Sequence, residues 1–499
     1  MAIKRYAADA DNTITNAYKD NLQTRGTGSN MGQADILETF SIYKQADATS
    51  VELSRILLKF PVLEEIKADR DNGLIPSAGS VSFYLRMSNA KHPHTLPRDY
   101  KLNVLAVSSS WEEGNGLDME EYTDLTYDGI GSNWINAASG TTWSTEGGDY
   151  HASPAYTASF PKGNEDLELD VTSLVEEWID ETKENYGFGI HLSSSYEASS
   201  SSNPSGAKIS YYTKKFFARS SEYYFDRPVI EARWDSSRRD NRNNFYFSSS
   251  LAPASENLNT LYMYNYIRGN LRDIAGNSNA IPVLNLYYSS GSAPEGDALY
   301  FRNSSNTAVN FLSASRVSTG VYKAQFSVTG GVVSSTYPYL VDVWTMSGSE
   351  LHTGSVIVPK THSFSDYNPN TKYVVSMKNL KPKYTPGQVE RFRLFVREKN
   401  WSPNIYTVAK STPENLMIES ASYQITRASD KKIVIPYGTG STAETMLSYD
   451  SDGNYFDLDM DLLEKGYTYE LKFSFYEDSV SSYREQPYTF KIRVEQDEY

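Results

Sequence analysis

Four hundred and ninety-nine residues, at roughly 100 to 200 per domain, predict about three domains. The chain has no cysteine, which excludes thiol nucleophiles, disulfides, iron–sulfur clusters and cysteine-ligated zinc. With 62 acidic against 47 basic residues and a net charge of −15, the balance argues against nucleic acid and anionic membrane as partners. Tyrosine (39) outnumbers phenylalanine (20) and tryptophan (7) together, which suits half-buried strands whose hydroxyl ends reach water.

Read in chain order, Met1 to Asn12 carries two early basic residues but no apolar run after them, so no secretory signal is expected, and no later run approaches a membrane span. Ser54–Phe60, Ser80–Met87 and Lys101–Val107 read as strands bounded by turn residues. Asp170 opens a different pattern. Val171, Leu174, Val175, Trp178 and Ile179 recur at helical spacing and fall on one face, predicting a short amphipathic helix with Asp170 as its N-cap. Phe188–Leu192 returns to strand.

The order of these pieces has a counterpart. Ser54–Phe60, Val81–Leu85, Ser110-Trp-Glu-Glu-Gly114, Asp170–Trp178 with Asn185-Tyr-Gly-Phe188, and Arg227-Pro-Val-Ile-Glu231 as closing strand resemble the DNRLRE family. That resemblance implies a jelly-roll β-sandwich similar to carbohydrate-binding modules, of the kind found on bacterial surface and secreted proteins. Two long loops, the glycine-rich insert 114–150 and the serine-dominated stretch 193–205, are the usual places for an interaction surface or disorder.

Trp234 to Asn244 is polar and aperiodic and reads as a linker, its arginines Arg238, Arg239 and Arg242 solvated and paired locally with Asp235 and Asp240. Beyond it, Pro282–Tyr288, Ala298–Phe301, Gly320–Val328, Tyr339–Trp344 and Gly354–Val358 are short strands of a second module. Gln388–Arg397 and Tyr467–Phe475 alternate in a third, with Val389, Phe392, Leu394 and Val396 expected near the core. Asp461–Tyr469 resembles the corner of immunoglobulin-like domains, where a tyrosine hydroxyl bonds back to the preceding loop, and Thr319–Tyr322 occupies a comparable place. The expected fold is all-β: a jelly roll with one short helix over 1–235, then Ig-like sandwiches over 236–363 and 364–499.

Chemistry is sparse. His92 and His94 flank a proline in what reads as a solvated turn, and His151, His191, His352 and His362 are scattered. There is no zinc-protease, phosphate-loop, dinucleotide or nucleophile-elbow motif. Glu112-Glu113, Glu120-Glu121 and Glu176-Glu177 are adjacent acids whose side chains point apart, with Glu176 and Glu177 read as solubilising charge. Asp450, Asp452 and Asn454 have the first spacings of a calcium loop, but glycine and the closing acid are misplaced, and a hairpin through Ser451-Asp452-Gly453 explains them better. No catalytic residue, metal ligand or cofactor is assigned.

Such a chain is built to bridge or display. Surface-type modules without an export signal look like accessory proteins of tailed-phage virions, made in host cytoplasm, released by lysis, and attached in symmetric copies to capsid, neck or tail proteins. The alternative is a glycan-binding adhesin or host-attachment module in which Trp134, Trp143 or Tyr211-Tyr212 stack on sugar rings, although core or strand packing is the favoured reading of those aromatics.

Overall fold

Strands whose apolar residues alternate bury one face each, so they settle as pairs of sheets with those faces together. The computed structural model describes residues 2–92, 96–120, 131–362, 371–400, 405, 415–438, 443–477 and 479–495. The chain divides into two compact units that meet between Asp235 and Ser236.

The first unit contains β1 (Ile3–Ala7), β2 (Ala10–Thr15), β3 (Ile36–Tyr43), β4 (Val51–Lys59), β5 (Ser82–Met87), β6 (Tyr100–Val107), β7 (Asn136–Ala138), β8 (Thr141–Thr142), β9 (Tyr150–Phe160), β10 (Leu167–Asp170), β11 (Phe188–Leu192), β12 (Tyr211–Phe217) and β13 (Val229–Arg233), with helices α1 (Ala68–Asp71) and α2 (Thr172–Ile179). The jelly-roll sandwich has a four-stranded sheet, β1-β13-β5-β10, and a seven-stranded sheet, β12-β3-β4-β11-β6-β9, in which β2 also pairs with β4. Alternation fills the space between them. Phe83, Leu85 and Met87 of β5 join Leu102, Val104 and Ala106 of β6 and Phe188, Ile190 and Leu192 of β11.

Helix α2 closes this core with Leu174, Val175, Trp178 and Ile179, the face its spacing predicts. Its N-cap is Val171 rather than Asp170. Asp170 stands one residue earlier and reaches forward, its carboxylate accepting from Thr172 N–H (3.0 Å) and Thr172 Oγ1 (2.6 Å). Glu176 is not merely solubilising: it takes both prongs of Arg70 at 2.5 and 2.7 Å, tying α2 to a helical segment, Val62 through α1, that the sequence reading did not anticipate. Glu177 pairs with Lys183 at 2.7 Å.

The glycine-rich insert is also structural. Leu57 points away from its neighbours Ile56 and Leu58 and, with Ile14 and Val107, underlies a second small core that Trp134, Ala137 and Trp143 cap. Trp143 Nε1–H donates to Asn133 O at 2.9 Å, and the Arg55 guanidinium lies 5.3 Å from the Trp134 ring.

The second unit holds two Ig-like sandwiches in series. In the first, Val283–Ser289 and Tyr339–Met346 face Asn259–Tyr264 and Val321–Ser327 across Leu284, Leu286, Tyr322, Phe326 and Trp344. The expected strand at 354–358 is reduced to a single bridge from Ile357 to Leu340, and the one at 298–301 is displaced to Phe301–Asn303. In the second, Phe392, Leu394 and Val396 are buried, whereas Val389 is 57 % exposed. Period two explains the difference, because 389 has the opposite parity from 392, 394 and 396. Tyr469 Oη donates to Glu464 O at 2.7 Å, the corner bond its sequence suggests. Tyr322 departs from that plan, accepting from Ile274 N–H at 3.1 Å on a distant segment.

The stretch read as a solvated linker is no linker over most of its length. Trp234 belongs to the first unit's core. Arg242 is buried and donates through both Nη atoms to Asp342 and again to Ser355 O. Arg238 to Asp240 run alongside Ser448 and Tyr449: Arg238 N–H donates to Ser448 Oγ (3.0 Å), Tyr449 N–H to Arg238 O (2.9 Å) and Asp240 N–H to Tyr449 O (3.0 Å). The segment is a strap joined to both sandwiches.

Candidate ligand groove

One opening in the first unit combines exposure, aromatic rings and buried charge. Its cause is a parting of strands. β3 pairs with β4 only over Ser41–Tyr43, while β2 takes β4 from Ser54 to Lys59. Ser54 sits at the fork, its Oγ donating to Glu38 O (3.0 Å) and accepting from Phe40 N–H (2.9 Å). The groove left between β2 and β3 has a volume of about 1010 Å³, at the large end of ligand sites. Ile36, Glu38, Phe40 and Ile42 line it from β3, and Thr13 and Thr15 from β2.

The third wall comes from a β-bulge. The register of β12 against β3 slips between Tyr211 and Lys214, and Thr213 adopts φ +78°, a left-handed conformation that a β-branched side chain disfavours. The slip sends neighbouring side chains in different directions. Tyr211 packs against the main core beside Tyr100 and Tyr196, while Tyr212 turns into the groove, 53 % exposed, with its ring 5.6 Å from Phe40. Thr213 Oγ1 donates to Glu38, and Lys215 Nζ stands 3.8 Å from the same carboxylate. Lys214 goes inward, donating to Asn89 Oδ1 (2.7 Å) and Glu165 O (2.6 Å), and burial pushes its ammonium down to about 8 against the pull of Glu165 and Asp166.

Glu52 of β4 lies opposite Ile42 in the register and also lines the groove, yet it is only 2 % exposed. Its Oε2 accepts from Tyr18 N–H at 3.0 Å; its Oε1 has no hydrogen-bond partner among the described residues. Burial, then the Glu38 and Glu52 carboxylates, raise the Tyr212 phenol above its ordinary value, so the three groups share one electrostatic environment.

Of the aromatics singled out from sequence, Trp134 and Trp143 are each 5 % exposed and serve the second core, Tyr211 serves the main core, and only Tyr212 faces the groove. The calcium-like residues sit in a hairpin of Ser448–Asp450 and Gly453–Asp459: Asp450 takes both prongs of Arg393 at 2.8 Å, Asp452 lies 3.9 Å from the same guanidinium, and Asn454 binds the Ile418 backbone. The adjacent acids also part, Glu113 to Arg219 and Glu112 to Ser139 N–H, while Glu120 accepts from Asp20 N–H and Glu121 lies outside the described residues. His92 is half-buried with Nε2 unpartnered among the described residues; His94 lies outside them.

Two further buried clusters lie in the first unit. Arg55, Glu197, Tyr150 and His191 pack together, and burial followed by the Arg55 charge holds His191 down to about 4. Asp11 accepts from Arg219 N–H at 2.6 Å, and burial with the repulsion of Glu113 raises its carboxyl to about 7.

These features define a tandem β-sandwich protein with a ligand-sized groove in its jelly-roll unit. No protein-family model matches the chain, and no curated protein does. Among solved structures, it is similar to fibronectin(III)-like modules of Clostridium thermocellum CbhA at 13 % identity, covering 52 % of this chain and 93 % of that one, with a TM-score of 0.15. The Yersinia pseudotuberculosis adhesin InvE matches at 12 % identity over 47 % of this chain and 54 % of that one, TM-score 0.15. A DUF4785 family protein of Legionella pneumophila matches at 9 % identity over 98 % and 92 %, TM-score 0.13. None of these likenesses bears on the groove.

Proposed function

We propose that the chain is a non-enzymatic structural protein of a tailed-phage virion, present in symmetric copies and bridging or decorating capsid, neck or tail. The DNRLRE likeness of residues 1–235 belongs to the same reading. The observation that carries it is the strap from Arg238 to Arg242, hydrogen-bonded to one Ig-like sandwich and ion-paired into the other, which joins two modules without slack. A protein that spans between neighbours transmits position through such a seam, whereas a flexible tether would not. Quantitative mass spectrometry of purified particles tests the proposal. A fixed stoichiometry to the capsid or tail proteins is expected; absence from the particles overturns it.

A second reading, host attachment through a surface glycan, is favoured by the groove. Sugar rings present apolar faces and rims of hydroxyls, and Phe40 with Tyr212 beside Glu38, Glu52, Thr13 and Thr15 supplies partners for both. Binding on a glycan array that is lost in Tyr212→Ala supports this reading; an array with no binding removes it.

A further inference from the structure

We propose that the groove between β2 and β3 takes a glycan bearing a free amino group, with Glu52 receiving the ammonium and Phe40 and Tyr212 covering the sugar ring. The inference rests on the host-attachment reading and narrows its ligand.

Three independent observations converge on an amine. The first is Glu52: a side chain 2 % exposed with one carboxyl oxygen unpartnered among the described residues offers an acceptor that a charge-assisted hydrogen bond from a ligand ammonium fills better than one from a neutral hydroxyl. The second is charge. The groove is lined by Asp20, Glu38, Glu52 and Asp118 against Lys19 and Lys215, an acidic excess that attracts cations and repels sialic-acid-like or phosphorylated sugars. The third is the bulge. Thr213 holds a left-handed φ of +78° that places Tyr212 beside Phe40, and aromatic faces attract ammonium as well as the apolar face of a pyranose. The groove's volume of about 1010 Å³ and its threonine hydroxyls suit a short oligosaccharide better than a single small amine.

The test is isothermal titration of the full chain at pH 6 with two probes of equal length, a glucosamine tetramer and its fully N-acetylated counterpart. Acetylation removes the positive charge and keeps the ring faces. The glucosamine tetramer is expected to bind at least about tenfold more tightly, roughly 1.4 kcal/mol, and to lose that margin in Glu52→Gln. Tyr212→Ala, at an exposed position, is expected to weaken both probes, so the inference stays testable even where Glu52→Gln fails to fold. Equal affinity for the two tetramers overturns the amine assignment and leaves the host-attachment reading standing. Binding of neither removes both. Tighter binding of a lysine-rich peptide than of the glucosamine tetramer overturns the glycan assignment in favour of a protein ligand.

Discussion

Arg242 grips Asp342 through two parallel hydrogen bonds, Nη1 to Oδ1 at 2.6 Å and Nη2 to Oδ2 at 2.8 Å, and Asp342 also accepts from Trp344 Nε1–H at 2.7 Å. The pair is buried, so breaking it from one side strands a charge. Arg242→Met is expected to cost about 3–5 kcal/mol in urea unfolding, and pairing it with Asp342→Leu to recover part of that loss, the remainder being the Trp344 Nε1–H left without its acceptor. Gly354→Ala should imitate the single change, since its Cβ would fall 2.1 Å from Asp342 Oδ1 and 2.6 Å from Arg242 Nη1. A single variant as stable as the parent would show that the pair contributes nothing to the fold.

Trp134 and Tyr212 should respond in opposite ways. Removing the buried Trp134 empties the second core, and Trp134→Ala is expected to destabilise the first unit by about 3–5 kcal/mol. Tyr212→Ala removes a ring that is 53 % exposed, and its unfolding free energy should stay within about 0.5 kcal/mol of the parent. Thermal melts of the two proteins, set beside glycan binding, separate the packing role from the recognition role.

The first unit carries two buried groups with opposed pH dependence. The Asp11 carboxyl is raised from 3.8 to about 7, so its contribution is fully present below pH 3.8 and is lost as pH rises through 7. His191 is lowered from 6.5 to about 4, so its contribution is present above pH 6.5 and is lost as pH falls through 4. Each has a slope of about 1.4 kcal/mol per pH unit within its window, and the two cancel where the windows overlap. Asp11→Asn should therefore uncover stability that climbs from pH 4 to 6.5, and His191→Gln stability that falls across the same range. Denaturant midpoints measured at several pH values check both; variants with parallel profiles would refute the pairing.

In the last sandwich, Tyr469→Phe removes only the hydroxyl bonded to Glu464 O, for an expected loss of about 1 kcal/mol. Calcium should leave the melting temperature of the parent unchanged, because the Asp450 carboxylate is engaged by Arg393. A calcium-dependent rise would reinstate a metal loop at 450–454.

Local patterns were legible. The face of α2, the alternation of β5, β6 and β11, the corner at Tyr469 and the hairpin after Asp450 all follow from periodicity or turn chemistry within about ten residues. Long-range pairing was not. Nothing near Arg242 names Asp342, a hundred positions away, so its charge looked solvated. The groove is less visible still, since it depends on where β3 leaves β4 and on a bulge that separates Tyr211 from Tyr212. The one hint was that tyrosine pair, and sequence could not say which member would face outward. Val389 is the complementary case: an apolar residue in an alternating strand reads as core, yet its parity places it on the outer face.

The strap has a consequence for how such proteins can be rearranged. Its register against Tyr449 is fixed by two backbone hydrogen bonds before Arg242 reaches its partner, so one inserted residue between Arg238 and Arg242 would shift either the bridge or the ion pair out of place. Recombination at this point would yield fragments with frayed ends. The two sandwiches are therefore expected to fold and to be transplanted as a single cassette, with the workable splice point upstream, between Asp235 and Ser236.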